Sequence, residues 1–294
     1  MNAAEIAMAL GAAIRSGQWW RCICPVHGSR TGHSTTLALR DGDRGLIVYC
    51  HAGCSTADIL AELRGRGLLV DRRGRRGTTL PALDRRDQER RIEIARHIWA
   101  AGRDARGSAV AQYLAGRGIT IPVPPSLRWV PALRRPDGTH APAMVARIDN
   151  VDGELIGVHR TWIDRGPDGI WRRLDRAMLG CAAGGALRLG AARREVPLVV
   201  AEGIESCFGA MQAADLPGWA ALSAIGIKRL ILPTDLRDVL IAVDRDPNST
   251  GERAARMGGR QWLTEGRRVR LLIPHVIGAD AADRIGEVRW PVPA

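Results

Sequence analysis

The sequence predicts an α/β fold: a parallel sheet with helices on both faces, preceded by a mixed α+β segment and a small N-terminal metal-binding ribbon. Three observations predict it. Apolar strand-like runs alternate with helical patterns from about residue 196, a β-rich hairpin pattern covers 142–163, and four cysteines cluster near the N-terminus. Alternation of strands and helices is typical of parallel sheets. At 294 residues the chain is long enough for more than one domain.

The N-terminal cysteines and histidines have the spacing of a zinc site. Cys24 and His27 are separated by two residues, and Cys50 and Cys54 follow 22 residues later with three residues between them. Two short-spaced pairs supply the four N/S ligands of tetrahedral zinc. The intervening TTLALRDGDRGLIVYC alternates around a turn, which predicts a hairpin that places the pairs side by side. We therefore interpret residues 1–70 as a zinc-ribbon domain.

The ligand set has alternatives. Cys22, His33 and His51 are spare candidates, and the fourth ligand is either Cys54 or His51, with Cys54 favoured. Reduced cysteines packed without metal are the other interpretation. Four protein ligands leave no open coordination position, so the metal is expected to be structural or to support DNA reading.

The charge of the chain predicts a polyanionic partner. Its formal net charge is +12, and residues 64–91 alone carry ten arginines against four acidic residues. Basic surfaces attract nucleic acid, whereas no strongly amphipathic basic helix favours a membrane. We interpret 71–91 as an Arg-rich linker, either a solvated tether or a direct nucleic-acid contact. The absence of a signal-peptide or membrane-spanning pattern predicts a cytoplasmic protein.

Three acidic residues follow predicted strands in the C-terminal part. Glu202 follows VPLVVA, and Asp244 and Asp246 follow VLIAV. Ligands of open α/β sheets gather beyond the carboxyl ends of the strands, and oxygen ligands suit Mg²⁺. Asp280 and Asp283 are further candidates for the same edge. The competing interpretation is an ordinary polar turn for the aspartates and a helix-dipole contact for Glu202.

These residues carry a resemblance to a known family. VVAEGIES, ALSAIG, VLIAVDRDPNSTGERAA and GADAAD resemble the Toprim fold of DnaG-type primases, topoisomerases and some nucleases. The hairpin PAMVARIDNVDGELIGVHRTWI and the CPVH cluster are similar to segments of the same primases. The order of domains looks most like compact primase-like proteins of phages and mobile elements. The resemblance implies a primase-like α+β subdomain over 92–195 and a Toprim domain over 196–294.

The resemblance also implies an activity. It is the synthesis of short RNA primers on single-stranded DNA from nucleoside triphosphates, with a separate replicative helicase as a further partner. The family's catalytic metal ligands correspond to Glu202, Asp244 and Asp246, which would bind Mg²⁺ or Mn²⁺. The proposed nucleotide or DNA contacts are Arg147, Arg160, Arg172 and Lys228. Two alternatives stay open: a Toprim nuclease using the same carboxylates, and a non-catalytic DNA-binding accessory protein.

Overall fold

The chain divides into two compact units, Met1–Pro81 and Ala82–Ala294. A computed structural model describes residues 1–29, 32, 35–42, 45–51, 54, 56–69, 82–243 and 250–272. Among these residues no helix is long and apolar enough to cross a membrane.

The first unit is built on a four-stranded antiparallel sheet in the order β1-β2-β3-β4. Its elements are α1 (Ala3–Leu10), β1 (Ile14–Ser16), β2 (Trp19–Cys22), β3 (Leu37–Gly42), β4 (Gly45–Cys50) and α2 (Thr56–Gly65). The predicted hairpin is the β3–β4 pair, and two further strands extend it. Helix α1 starts with a capping box: the Glu5 backbone N–H donates to the Asn2 side chain, and the Asn2 backbone N–H donates to the Glu5 carboxylate.

The second unit begins with a five-stranded antiparallel sheet in the order β5-β6-β7-β8-β9. Its elements are α3 (Ala82–Ala101), β5 (Arg103–Asp104), α4 (Ala109–Gly116), β6 (Leu127–Arg134), β7 (His140–Asp149), β8 (Leu155–Arg165) and β9 (Trp171–Gly180). The predicted hairpin corresponds to β7 and β8. Helix α3 starts ten residues before the predicted helical pattern, in a charged stretch where Arg91 and Asp87 form an i,i+4 ion pair at 2.9 Å.

The two faces of this antiparallel sheet have different neighbours, as the period-two alternation along β7 requires. Val145 packs with Ala95 and Trp99 of α3. Met144 and Ala146 point the other way and join a large apolar core that also contains Tyr113 of α4 and Phe208 from the following α/β segment. One face is therefore covered by α3, and the other contributes to a core shared with the rest of the unit.

A second sheet completes the unit, in the order β10-β12-β11-β13-β14. Its elements are β10 (Leu187–Arg188), β11 (Leu198–Ala201), α5 (Ile204–Ala214), β12 (Gly218–Ala220), α6 (Ala224–Arg229), β13 (Asp238–Ala242), α7 (Thr250–Thr264) and β14 (Arg268–Leu272). Strands β11 to β14 are parallel, and among the described strands of this sheet only the edge strand β10 is antiparallel to its neighbour.

Helices cover both faces of the parallel part, which confirms the predicted fold class. Val199 and Leu240 face the core that contains Phe208 of α5. Val200 and Ile241 face the opposite core, with Trp262 of α7. Strands buried on both faces have near-continuous apolar sequences, which explains why LVVA and VLIA have no polar residue.

Candidate functional site

The four predicted zinc ligands come together in the first unit. The candidate ligand atoms of Cys24, His27, Cys50 and Cys54 all lie within 4.8 Å of one another. The Cys24 and Cys54 sulfurs are 3.6 Å apart, close to the roughly 3.8 Å that Zn–S bonds of about 2.3 Å impose on a tetrahedron. The donor set, three sulfurs and one nitrogen, and the distances both fit zinc.

His27 is oriented for metal binding through Nδ1. This atom lies 3.0 Å from the Cys54 sulfur and 3.8 Å from the Cys50 sulfur. The other ring nitrogen, Nε2, lies 2.9 Å from the Thr36 hydroxyl. With a metal on Nδ1, Nε2 would carry the proton and donate it to the Thr36 hydroxyl, which would fix the ring and its tautomer.

The remaining candidates lie outside this ligand set. His51 packs edge-on against Tyr49, with ring centroids 4.9 Å apart. Cys22 is buried, and burial raises the pKa of its thiol to about 12, which keeps it protonated. The Cys54 sulfur lies within 4.8 Å of the other three ligand atoms, so the structure favours Cys54 over His51. His33 lies outside the described residues.

The second candidate site is the carboxyl edge of the parallel sheet. Strands β11 and β13 are neighbours in register, with Ala201 opposite Ala242. The half-buried Glu202 follows directly, before Gly203 begins helix α5. Strand β13, the neighbour of β11, ends at the same edge, and Asp244 follows it in the sequence. Asp244 and Asp246 themselves lie outside the described residues, as do Asp280 and Asp283.

The four predicted basic contacts lie in different places. Arg147 and Arg160 point to the α3 side of the antiparallel sheet: the Arg147 guanidinium lies 5.7 Å from the Trp99 ring centroid and contacts Asp149, and Arg160 stacks 5.0 Å from Trp162. Arg172 is exposed on β9 and forms an ion pair with Asp168. Lys228 lies in the last turn of α6.

A polar cluster on the opposite face of β8 was missed by sequence reasoning. The Tyr113 hydroxyl donates to Glu205 Oε1 at 2.6 Å, and Arg173 Nη1 lies 3.8 Å from the same oxygen. His159 and Thr161 lie alongside, with 3.3 Å between their side chains. The cluster joins α4, β8 and β9 to the first turn of α5, three residues after Glu202. The sequence contained a signal for this cluster. Successive side chains of a strand point to opposite faces, so His159 must lie on the face opposite to Arg160.

Burial sets the protonation of this cluster. Burial, followed by repulsion from Arg176, lowers the pKa of His159 to about 4, so the imidazole is neutral at pH 7. Burial is the largest effect and would raise the pKa of Glu205, but the hydrogen bond from Tyr113, a backbone hydrogen bond and the charge of Arg173 together outweigh it, and the net shift is downward. A carboxylate, a neutral imidazole and an arginine therefore line the start of α5.

Residues 197–288 match the Toprim domain family, and residues 89–189 match a family described as a domain of unknown function (DUF7146). No curated protein matched the sequence.

Several solved structures are similar in fold. The zinc-binding and RNA polymerase domains of the Aquifex aeolicus primase are 15% identical, with a TM-score of 0.44, covering 98% of this chain and 80% of that one. The primase fragment of the bacteriophage T7 primase-helicase is 15% identical, with a TM-score of 0.35, covering 88% and 92%. A DnaG primase catalytic domain bound to single-stranded DNA is 16% identical, with a TM-score of 0.41, covering 69% and 75%.

The match over 197–288 includes β11, α5 and β13, the elements that place Glu202 at the carboxyl edge of the sheet. The C-terminal part of this chain is therefore a Toprim domain, preceded in the chain by a Cys-His-Cys-Cys cluster and a domain of unknown function.

Proposed function

We propose that the chain is a primase-like nucleotidyltransferase that synthesises short RNA primers on single-stranded DNA, for replication of a phage or mobile element. The observation that carries the proposal is the carboxyl edge of the Toprim sheet. The strand before Glu202 and the strand before Asp244 and Asp246 are parallel neighbours that end side by side. The substrates would be nucleoside triphosphates, and a separate replicative helicase is a further expected partner.

The first unit favours a template-binding enzyme over a free-standing nuclease. Its four-ligand cluster fits a closed, structural zinc site rather than a catalytic one. A folded zinc ribbon ahead of the Toprim domain would hold or read the template strand. The net charge of +12 supports binding to a polyanion in either case.

The carboxylates Glu202, Asp244 and Asp246 would hold Mg²⁺ or Mn²⁺, since oxygen donors suit these cations. When bound, the metal would lower the pKa of the attacking 3′-hydroxyl and stabilise charge on the transferring phosphate. Arg173, which lies 3.8 Å from Glu205 in the first turn of α5, would bind a phosphate near Glu202. The roles of Arg147, Arg160, Arg172 and Lys228 as nucleotide or DNA contacts remain part of the proposal, although Arg147 and Arg160 face away from this edge.

The test is primer synthesis from labelled nucleoside triphosphates on unprimed single-stranded DNA with Mg²⁺ or Mn²⁺. Wild type, Glu202→Gln and Asp244→Ala are compared after zinc content and folding have been checked. We expect short products from wild type and a loss of at least a hundredfold in both variants, because each removes a negative metal ligand.

Two other results would overturn the proposal. Metal-dependent cutting of the template without primer synthesis would reassign the same carboxylates to a nuclease. Intact DNA binding with neither activity, with a helicase added or not, would indicate an accessory protein.

A further inference from the structure

We propose that a basic cleft at the amino edge of the Toprim sheet is a second contact site for the phosphates of a nucleic-acid strand. This inference rests on the proposed function in taking nucleic acid as the ligand. It does not depend on the catalytic carboxylates, because the cleft lies at the other end of the same strands.

The cleft has a volume of about 470 Å³ and is formed by three segments and the side chain of Trp219. One wall is Pro124–Ser126, just before β6. The second is residues 188–194, which continue from β10; because β10 is antiparallel to β12, they run past the amino ends of the parallel strands. The third is residues 233–236, which precede β13. The four residues of β11 span about 13 Å, so roughly that distance separates this edge from Glu202.

The charge of the cleft is mostly unneutralised. Its lining contains Arg188, Arg193 and Arg194 against one acidic residue, Asp235. Arg193 and Arg194 are exposed and have no side-chain hydrogen bond or ion pair within the described part of the chain. Several arginines elsewhere on the unit are paired with carboxylates, as Arg172 is with Asp168. An unpaired arginine pair in a concave surface favours an anionic ligand.

The cleft recognises backbone phosphate rather than a base. Trp219 is the aromatic residue in its lining, and it is 2% exposed. The Arg188 guanidinium covers one face of its ring at 4.5 Å, and its indole N–H donates to the Gly190 carbonyl. The ring is therefore closed to base stacking, which single-strand readers use for the base itself. Charge without stacking fits sequence-independent phosphate contact.

Arg188 is held rigidly for such a contact. One of its terminal nitrogens donates to the carbonyls of Asn150 and Val151, and its guanidinium stacks on Trp219. The Pro124–Ser126 wall and Arg188 lie in the match to the domain of unknown function, residues 190–194 lie between the two matches, and residues 233–236 lie in the Toprim match. A strand in the cleft would therefore contact both domains.

The test measures binding of the full chain to labelled single-stranded DNA at several salt concentrations, without nucleotides or divalent metal. Arg193→Gln/Arg194→Gln is compared with Arg134→Gln/Arg260→Gln, which removes the same charge from exposed positions elsewhere. For the Arg193→Gln/Arg194→Gln variant, which loses two phosphate contacts, we expect an affinity loss on the order of tenfold. The slope of log affinity against log salt concentration should be smaller by about 1.4. Asp235→Asn should bind more tightly than wild type, because it removes the acid from the cleft.

Equal slopes in the test and control pairs, or no gain in Asp235→Asn, would overturn the inference. A cleft variant that loses affinity for ATP alone and keeps strand binding would reassign the cleft to a free nucleotide. Because the measurement requires no turnover, a chain that fails to synthesise primers can still pass it, and an active primase can fail it.

Discussion

The two units of the chain are stabilised in different ways. Among the described residues of the first unit, the fully buried large side chains are aliphatic: Ile6, Leu37, Leu39, Ile59 and Leu63. Trp19 and Trp20 are only half-buried, and Tyr49 is 36% exposed. The second unit buries whole aromatic side chains, including Trp162, Phe208 and Trp262.

The difference indicates where metal matters. A small unit with a modest apolar core gains much of its folding free energy from a structural zinc ion. The second unit has two extended apolar cores on either side of its parallel sheet and depends on packing instead. Perturbations aimed at metal should therefore affect the first unit, and perturbations of buried polar groups should affect the second.

The largest expected effect is on the zinc cluster. Cys54→Ser should lose stoichiometric zinc and unfold the first unit, because zinc binding in small ribbons contributes about 10 kcal/mol or more to folding. Metal content after gel filtration measures the zinc loss, and the near-UV circular dichroism of the tryptophans in the first unit measures the unfolding. The matched variant His51→Asn should keep both, since His51 packs on Tyr49 outside the ligand set. Metal loss in His51→Asn but not in Cys54→Ser would mean that His51, and not Cys54, is the fourth zinc ligand.

Some features of this comparison could be predicted from the sequence. The spacing of Cys24, His27, Cys50 and Cys54 predicts the cluster, because short-spaced pairs flanking a hairpin leave little geometric freedom. The apolar runs at 198–201 and 239–242 predict the parallel strands, because burial on both faces removes polar residues. Gly203 after Glu202 marks the turn into the helix.

Other features depend on contacts that a local pattern does not contain. Alternation along β8 divides His159 from Arg160, but it does not say which face the Toprim domain covers. The Tyr113–Glu205 hydrogen bond joins residues 92 positions apart, on two different domains. The edge strand β9 has exposed arginines before and after Leu174, so its sequence lacks the apolar and polar alternation that predicts a strand. These features follow from packing between segments, so they appear only in three dimensions.

The pH dependence of the second unit should report His159. Glu205 of α5 and Arg173 and Arg176 of β9 face it, and Arg160 neighbours it on its own strand. Its folded pKa of about 4 lies below the ordinary 6.5, so the neutral form is favoured by folding. The stability is complete above pH 6.5 and is lost as pH falls towards 4, by up to about 3 kcal/mol.

The measurement is denaturant unfolding of the second unit between pH 4 and 7.5. His159→Gln cannot be protonated, so the wild-type stability should fall more steeply than that of the variant, while zinc content at pH 7.5 stays unchanged. Parallel curves for the two proteins would contradict a buried neutral histidine and weaken the contrast between the units.

The smallest expected effect comes from the hydrogen bond that ties the two domains of the second unit together. Tyr113→Phe removes the donor to Glu205, whose side chain is only 14% exposed. Leaving a buried carboxylate without this donor should reduce the free energy of unfolding by about 1–3 kcal/mol, with no change in zinc content. Glu205→Gln keeps an acceptor for the phenol, so it should cost less than Tyr113→Phe. In the double variant the two losses should not add, because both substitutions change the one contact between these two side chains. Strict additivity would mean that Arg173, at 3.8 Å, holds Glu205 without the tyrosine, and the domains would then be joined by charge rather than by the hydrogen bond.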